Sequence, residues 1–92
     1  MTTTDTVALS GPFHLIGIGG AGMSVVAELL HERGATVSGS DKADSALLAR
    51  LSGLGIDVHV GHDASHVQQE ATLVVSTAIR ESNPELAIAR ER

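Results

Sequence analysis

A glycine-rich segment, GIGGAGMS at positions 17–24, constrains the fold of this 92-residue chain more than any other feature. It lies between the apolar run FHLI (13–16) and the helix-like stretch VVAELLHERG (25–34). Glycine loses more backbone entropy on ordering than any other residue, so such a segment is typical of a turn whose bare backbone approaches something closely. Its glycines at 17, 19 and 22 form the GxGxxG pattern, which is informative where it follows a strand and begins a helix.

Hydrophobic periodicity predicts strands and helices in alternation along the rest of the chain. Strands are predicted at 13–18, 35–40, 56–60 and 72–76, and helices at 21–33, 45–54, 66–70 and from 84 onward. The Asn83-Pro84 pair favours an N-cap followed by the first helical residue. Two leucine- and valine-rich helix faces are predicted to pack in the core: Val25, Val26, Leu29 and Leu30, and then Leu47, Leu48, Leu51 and Leu54.

Strand–helix–strand units of this length favour parallel strands joined by right-handed crossovers. The predicted fold is therefore α/β, a Rossmann-like, open, doubly wound and mainly parallel sheet. We expect one domain over residues 13–92, after a flexible N-terminal leader at 1–12. In such sheets ligands bind at the carboxyl ends of the strands, near the point where the strand order reverses.

Composition limits the kind of partner. The net charge is −5, and there is no basic patch typical of a nucleic-acid-binding protein. No run of about 18 apolar residues suggests a membrane span, and the N-terminus lacks the basic region of a secretion signal, so we expect a cytoplasmic location. An acidic ligand would therefore have to be held by local geometry and not by the overall charge.

The glycine turn offers such a geometry, because the first amide groups of a helix have no partner within the helix and bind anions well. Asp41 follows 19 residues after Gly22, at the predicted end of the second strand, where a carboxylate usually accepts hydrogen bonds from a ribose. Together these features predict a site for a nucleoside diphosphate. On spacing alone, this pattern occurs more often in the nucleotide-binding half of an NAD-dependent dehydrogenase.

The residues around the motif are more specific for one protein family than the motif itself. GIGGAGMS at 17–24, VSGSD at 37–41, GH at 61–62, VVSTAI at 74–79 and NPEL at 83–86 occur in one order. Over residues 13–90 the chain resembles the N-terminal domain of the Mur ligases of peptidoglycan synthesis, in particular the UDP-N-acetylmuramate–L-alanine ligases. The related ligases that recycle murein peptides are the second choice within the family, and a non-enzymatic, nucleotide-sensing domain is a further alternative.

The resemblance implies a three-domain, ATP-dependent ligase that joins L-alanine to the lactyl carboxylate of UDP-N-acetylmuramate through an acyl phosphate, with Mg²⁺ bridging ATP and the acyl phosphate. The N-terminal domain would bind the UDP part of the sugar nucleotide. No GxxxxGK[ST] motif occurs, and Lys42 is the only lysine, so we expect the ATP site in a domain that this chain lacks. The 92 residues alone are expected to bind no cofactor and to catalyse nothing.

The resemblance also implies which residues bind. Main-chain amides of the glycine turn would hold the diphosphate, Asp41 would meet the ribose, and His62 would border the uracil or ribose. Thr77 stands where the family often has a serine, which leaves its contact open. The full expected set is Gly19, Gly20, Ala21, Gly22, Met23, Ser24, Ser40, Asp41, His62, Ser76, Thr77 and Ala78.

Other polar residues have plainer interpretations. His59, His62 and His66 have a spacing that suggests metal ligands, but no fourth ligand is near and His59 belongs to a strand, so no metal site is predicted. His14 is expected to pack or to lie at the surface. Glu81 and Glu85 are expected to be solvated acids at the start of the last helix.

Overall fold

The computed structural model describes residues 11–75, 79 and 82–91, and these form a four-stranded parallel sheet with the strand order β3-β2-β1-β4. The strands are β1 (Phe13–Ile16), β2 (Val37–Asp41), β3 (Asp57–Val60) and β4 (Thr72–Val75). The helices are α1 (Ala21–Glu32), α2 (Ala46–Gly53) and α3 (Pro84–Glu91), and a 3₁₀ turn covers Ala64–His66. The strand order reverses at β1, so the switch point lies between β1 and β4, next to the glycine turn.

Local sequence signals explain where the helices begin and end. The Ser45 hydroxyl accepts from the Leu48 amide at 3.3 Å and caps α2. The Asn83 side-chain oxygen accepts from the amides of Glu85 and Leu86 at 2.9 and 3.3 Å and caps α3. Gly34, with φ +87°, follows α1. The predicted helix at 66–70 is wrong, since the only helical turn there is the 3₁₀ segment, which ends at His66.

One face of the sheet carries the apolar core. Leu15 of β1 lies opposite Gly39 of β2 and Val74 of β4, and helices α1 and α2 cover this face. The buried apolar cluster consists of Leu15, Ile18, Ala27, Ala35, Val37, Leu48, Leu51 and Ile56.

The predicted core face of α1 is wrong in part. Val25, Val26 and Leu29 are 55%, 38% and 45% exposed, while Ala27 is fully buried and Leu30 is half-buried against the core. The buried side chains of this helix are the small ones, Ser24 and Ala27, and Met23 and Leu30 pack against the core while partly buried. On α2, Leu48 and Leu51 are buried as predicted, whereas Leu54 is 43% exposed.

The other face of the sheet is polar. His14 of β1 lies opposite Ser38 of β2, and Ile16 lies opposite Ser40, so the His14, Ser38 and Ser40 side chains share this face. All three are buried. Parallel sheets normally bury two apolar faces, so polar groups here need hydrogen-bond partners from whatever covers them. Those partners come largely from Glu85 at the start of α3.

Candidate functional site at the carboxyl edge of the sheet

The glycine turn is tied to the end of β2. Gly17 adopts φ +85°, which favours glycine, and its amide and that of Ile18 both donate to the Ser40 carbonyl, at 2.8 and 3.0 Å. The Gly20 amide donates back to the Gly17 carbonyl at 3.0 Å. These bonds hold the start of α1 beside the end of β2, as the sequence predicted.

Three amides remain for a ligand at the start of α1. Gly20 is the N-cap residue and supplies no side-chain cap. The Ser24 amide is the first to bond within the helix, to the Gly20 carbonyl at 2.8 Å. Within the described ranges, the amides of Ala21, Gly22 and Met23 have no hydrogen-bond acceptor, so this helix end can receive an anion.

Asp41 lies directly against the glycine turn. Its Oδ2 atom accepts from the Gly19 amide at 2.9 Å, so in the structure the Gly19 amide is already bonded. Next along the edge, the Gly61 amide donates to the Asp41 carbonyl at 2.7 Å and brings the residue after it, His62, to the same edge. The sequence-predicted sites after β1, β2 and β3 are therefore neighbours.

The glycines serve different purposes from those the pattern suggests. The third glycine of a GxGxxG pattern usually permits close packing of the helix on the sheet. A Cβ at Gly22 would meet no atom within 4 Å, so Gly22 is not needed for that packing here. Gly39 of β2 permits a different close approach, since its Cβ would lie 2.7 Å from the Leu15 carbonyl of β1 and 2.8 Å from Cβ of Ile18 in the glycine turn. At Gly19 a Cβ would lie 2.9 Å from the Asp41 carboxylate.

Two serines of the predicted set face inward. Ser24 is buried and its hydroxyl donates to the Ala21 carbonyl at 3.0 Å. Ser40 is fully buried, and its hydroxyl bonds to Glu85 and, at 2.8 Å, to Nδ1 of His62. Direct contact of either hydroxyl with a ligand stays a prediction, as do the roles of Ser76, Thr77 and Ala78, which lie outside the described residues.

Glu85 is the residue that sequence reasoning missed. The expected solvated acid is fully buried, beneath the polar face of the sheet. Its Oε1 atom bonds to Nε2 of His14 at 2.9 Å and to the Ser40 hydroxyl. Its Oε2 atom accepts from the Asp63 amide at 3.0 Å and bonds to Nδ1 of His66 at 2.7 Å.

These contacts keep the Glu85 carboxylate ionised. Burial pushes its pKa upward, but hydrogen bonds from His14, Ser40, His66 and the Asp63 amide together lower the pKa to about 2. The sequence signal for this cluster is His14, a polar residue inside the otherwise apolar strand β1.

The histidines at 59, 62 and 66 each have a partner within the protein. The His59 and His66 rings stack with centroids 4.0 Å apart, and His59 bonds to Asp57 at 3.2 Å. Across residues 11–75, 79 and 82–91, no group of three or more His, Cys, Asp or Glu side chains is arranged to hold a metal ion. In the same ranges, no helix is long and apolar enough to cross a membrane.

Known proteins share both the sequence and the fold. The family described as "Mur ligase family, catalytic domain" matches residues 12–92. A UDP-N-acetylmuramate–L-alanine ligase from Delftia acidovorans is 57% identical over 79 residues, and one from Thermobifida fusca is 60% identical over 82 residues. These alignments cover 86% and 89% of this chain and 17% of each relative.

A solved structure has the same architecture. The UDP-N-acetylmuramate–alanine ligase of Thermotoga maritima superposes with a TM-score of 0.85 at 36% identity, over 88% of this chain and 19% of that one. This likeness confirms the α/β, Rossmann-like sheet expected from the sequence. The chain thus spans under a fifth of the length of the relatives it matches, and it belongs to the Mur ligase family.

Proposed function

We propose that this chain is the part of a UDP-N-acetylmuramate–L-alanine ligase that binds the UDP portion of the sugar nucleotide. The observation that carries the proposal is the set of three unbonded amides, Ala21 to Met23, beside the Asp41 carboxylate at the switch point of the sheet. Anionic groups of a diphosphate fit the positive end of α1, where each contact contributes about 0.3–1 kcal/mol or more when partly buried. The names of the relatives support the choice of nucleotide.

In this proposal the rest of the reaction takes place elsewhere in the ligase. ATP and Mg²⁺ would act in the domain that follows, where the sugar carboxylate is phosphorylated and attacked by L-alanine. The 92 residues would provide substrate binding in the cytoplasm and no catalytic group. We therefore expect no ADP formation by the chain alone when ATP, L-alanine and the sugar nucleotide are supplied.

A titration followed by amide NMR tests the binding proposal. UDP should shift the amide signals of Ala21, Gly22 and Met23, and NAD should shift them far less, because the proposed site recognises a uridine and not an adenosine. A stronger response to NAD would refute the proposal in favour of a dehydrogenase-type site. UDP and UDP-N-acetylmuramate should bind with similar affinity, since the muramyl end would project away from these residues.

A matched pair of glycine variants separates ligand binding from folding. A Cβ at Gly22 or at Gly53 enters open space, so both alanine variants should fold, and each helix should be as stable as before or more so. Gly22→Ala should weaken UDP binding, because its Cβ stands where the diphosphate approaches the amides, whereas Gly53→Ala should bind UDP normally. Equal UDP affinity in the two variants would remove Gly22 from the site.

A further inference from the structure

The hydrogen bonds around Glu85 determine where the protons lie. Four groups converge on the two carboxylate oxygens: Nε2 of His14, the Ser40 hydroxyl, Nδ1 of His66 and the Asp63 amide. An ionised carboxylate can only accept, so each of these groups donates to it. Ser40 has a single hydroxyl proton, and that proton points to Glu85.

The position of the Ser40 proton fixes the state of His62. Nδ1 of His62 lies 2.8 Å from the Ser40 oxygen, which has no second proton to give. The His62 ring must therefore carry a proton on Nδ1 and donate it to Ser40. In the neutral ring, the other nitrogen, Nε2, is then a hydrogen-bond acceptor, because the bond made by one ring nitrogen decides the tautomer.

His62 lies where it can contact the base of a nucleotide bound at this edge of the sheet. Nδ1 faces inward to Ser40, and the side chain remains 16% exposed. The segments after β1, β2 and β3 carry in turn the glycine turn, Asp41 and His62, and adjacent strands are about 4.8 Å apart. A nucleotide whose diphosphate lies at the glycine turn and whose ribose lies at Asp41 would bring its base toward His62.

We propose that Glu85 is a positioning residue for this nucleotide site: through Ser40 it holds His62 in the tautomer whose Nε2 accepts a hydrogen bond from the N3–H group of uracil. The inference deepens the proposed function and rests on it. Cytosine has an acceptor at the same ring position, so the relay from Glu85 through Ser40 to His62 also selects uracil over cytosine. Glu85 itself, fully buried, touches no ligand.

The variant Glu85→Gln should reverse the direction of the hydrogen bonds that link Glu85, Ser40 and His62. The Asp63 amide can only donate, so the new side-chain oxygen must take the place of Oε2, and the new amino group takes the place of Oε1. That amino group donates to Ser40, and the Ser40 proton then turns to Nδ1 of His62. We expect the His62 proton to move from Nδ1 to Nε2.

The direct test is ring ¹⁵N NMR of His62 at a pH where the ring is neutral. The wild-type chain should show Nδ1 protonated, and Glu85→Gln should show Nε2 protonated. Glu28→Gln, at an exposed ion pair with Arg50, makes the same chemical change elsewhere and should leave the His62 spectrum unaltered. An Nε2-protonated His62 in the wild type overturns the inference, and this result does not depend on any variant folding.

Ligand analogues test the uracil contact. N3-methyl-UDP should bind the wild-type chain about tenfold or more weakly than UDP, since a hydrogen bond is lost and a buried acceptor is left unpaired. Glu85→Gln should bind UDP about tenfold more weakly, and N3-methylation should then cost little more, because the two changes remove the same contact. Equal losses on N3-methylation in both proteins would refute the link from Glu85 to the base.

The outcomes separate the two proposals. If UDP fails to bind at all, the proposed function is wrong and the uracil contact is wrong with it, whatever the tautomer. If UDP binds but His62 carries its proton on Nε2, the proposed function stands and the role of Glu85 is refuted.

Discussion

Replacement of Glu85 by glutamine should reduce stability at neutral pH by an amount that the structure allows us to work out. The network lowers the pKa of this carboxyl from the usual 4.5 to about 2. Each pKa unit corresponds to about 1.4 kcal/mol, so the ionised form contributes about 3 kcal/mol to folding. Glutamine keeps the shape but loses the charge, and it turns one acceptor into a donor that faces Ser40 and His14.

The sign of the pH dependence follows from the direction of the shift. A carboxyl whose pKa is lower in the folded state stabilises the fold fully above its unfolded value, near pH 4.5, and loses that contribution as the pH falls toward 2. The groups that face it are His14, His62, His66 and Asp63, and all of them are present in both proteins. The difference between wild type and variant therefore reports on Glu85 together with its coupling to these groups.

The assay is urea unfolding of both proteins at several pH values between 7 and 2. The wild type should be more stable by about 3 kcal/mol at pH 7, and this advantage should shrink steadily below pH 4.5. Glu28→Gln, at a surface ion pair with Arg50, serves as the control and should unfold much like the wild type. A difference at Glu85 that stays constant down to pH 2 would refute the reasoning, because it would mean that the charge contributes nothing.

Three further predictions concern single positions. Gly39→Ala should destabilise the fold by about 1–3 kcal/mol in urea unfolding, because its Cβ meets the Leu15 carbonyl at 2.7 Å; normal stability would mean that β1 and the glycine turn can move aside at no cost. Asn83→Ala should reduce stability by about 1 kcal/mol in the same assay through loss of the α3 cap, and an unchanged midpoint would contradict that role. Asp41→Ala should weaken UDP binding by about 1–3 kcal/mol in calorimetry, as a charge-assisted hydrogen bond is lost; retained affinity would exclude this carboxylate from the site.

Signals that act over a few residues were read correctly from the sequence. Asn83 caps a helix where the sequence predicts a cap, and the glycine turn joins a strand to a helix. Such features depend on local backbone chemistry, which is visible in a short stretch of letters. The parallel sheet followed from the alternation of strands and helices, and the proximity of Asp41 to the turn followed from the sheet.

Features that depend on which side chain faces which neighbour were read less well. The apolar residues of α1 suggest a core face that includes Val25 and Leu29, but these two side chains are exposed, and Ala27 and Leu30 face the core instead. Gly39 lies outside the GxGxxG pattern, and its packing role appears only when β2 is seen beneath Ile18. The hydrophobic periodicity of one segment does not report its close approach to a segment that is distant in the sequence.

The burial of Glu85 was the hardest feature to predict. An acid in the first turn of a helix is usually solvated and interacts with the helix dipole. Its true partners are 71 residues away at His14 and 45 residues away at Ser40. Only the assembled sheet brings these groups together, so the residues next to Glu85 in the sequence do not reveal its burial.

The polar face of the sheet has a consequence for how this sequence can vary. Removing one member of a buried, charged network leaves the others with unsatisfied groups, while replacing all of them by apolar side chains can be neutral. His14, Ser40 and Glu85 are therefore expected to be exchanged together or not at all among stable variants of this chain. The first strand and the last helix, at opposite ends of the sequence, thus share one evolutionary constraint.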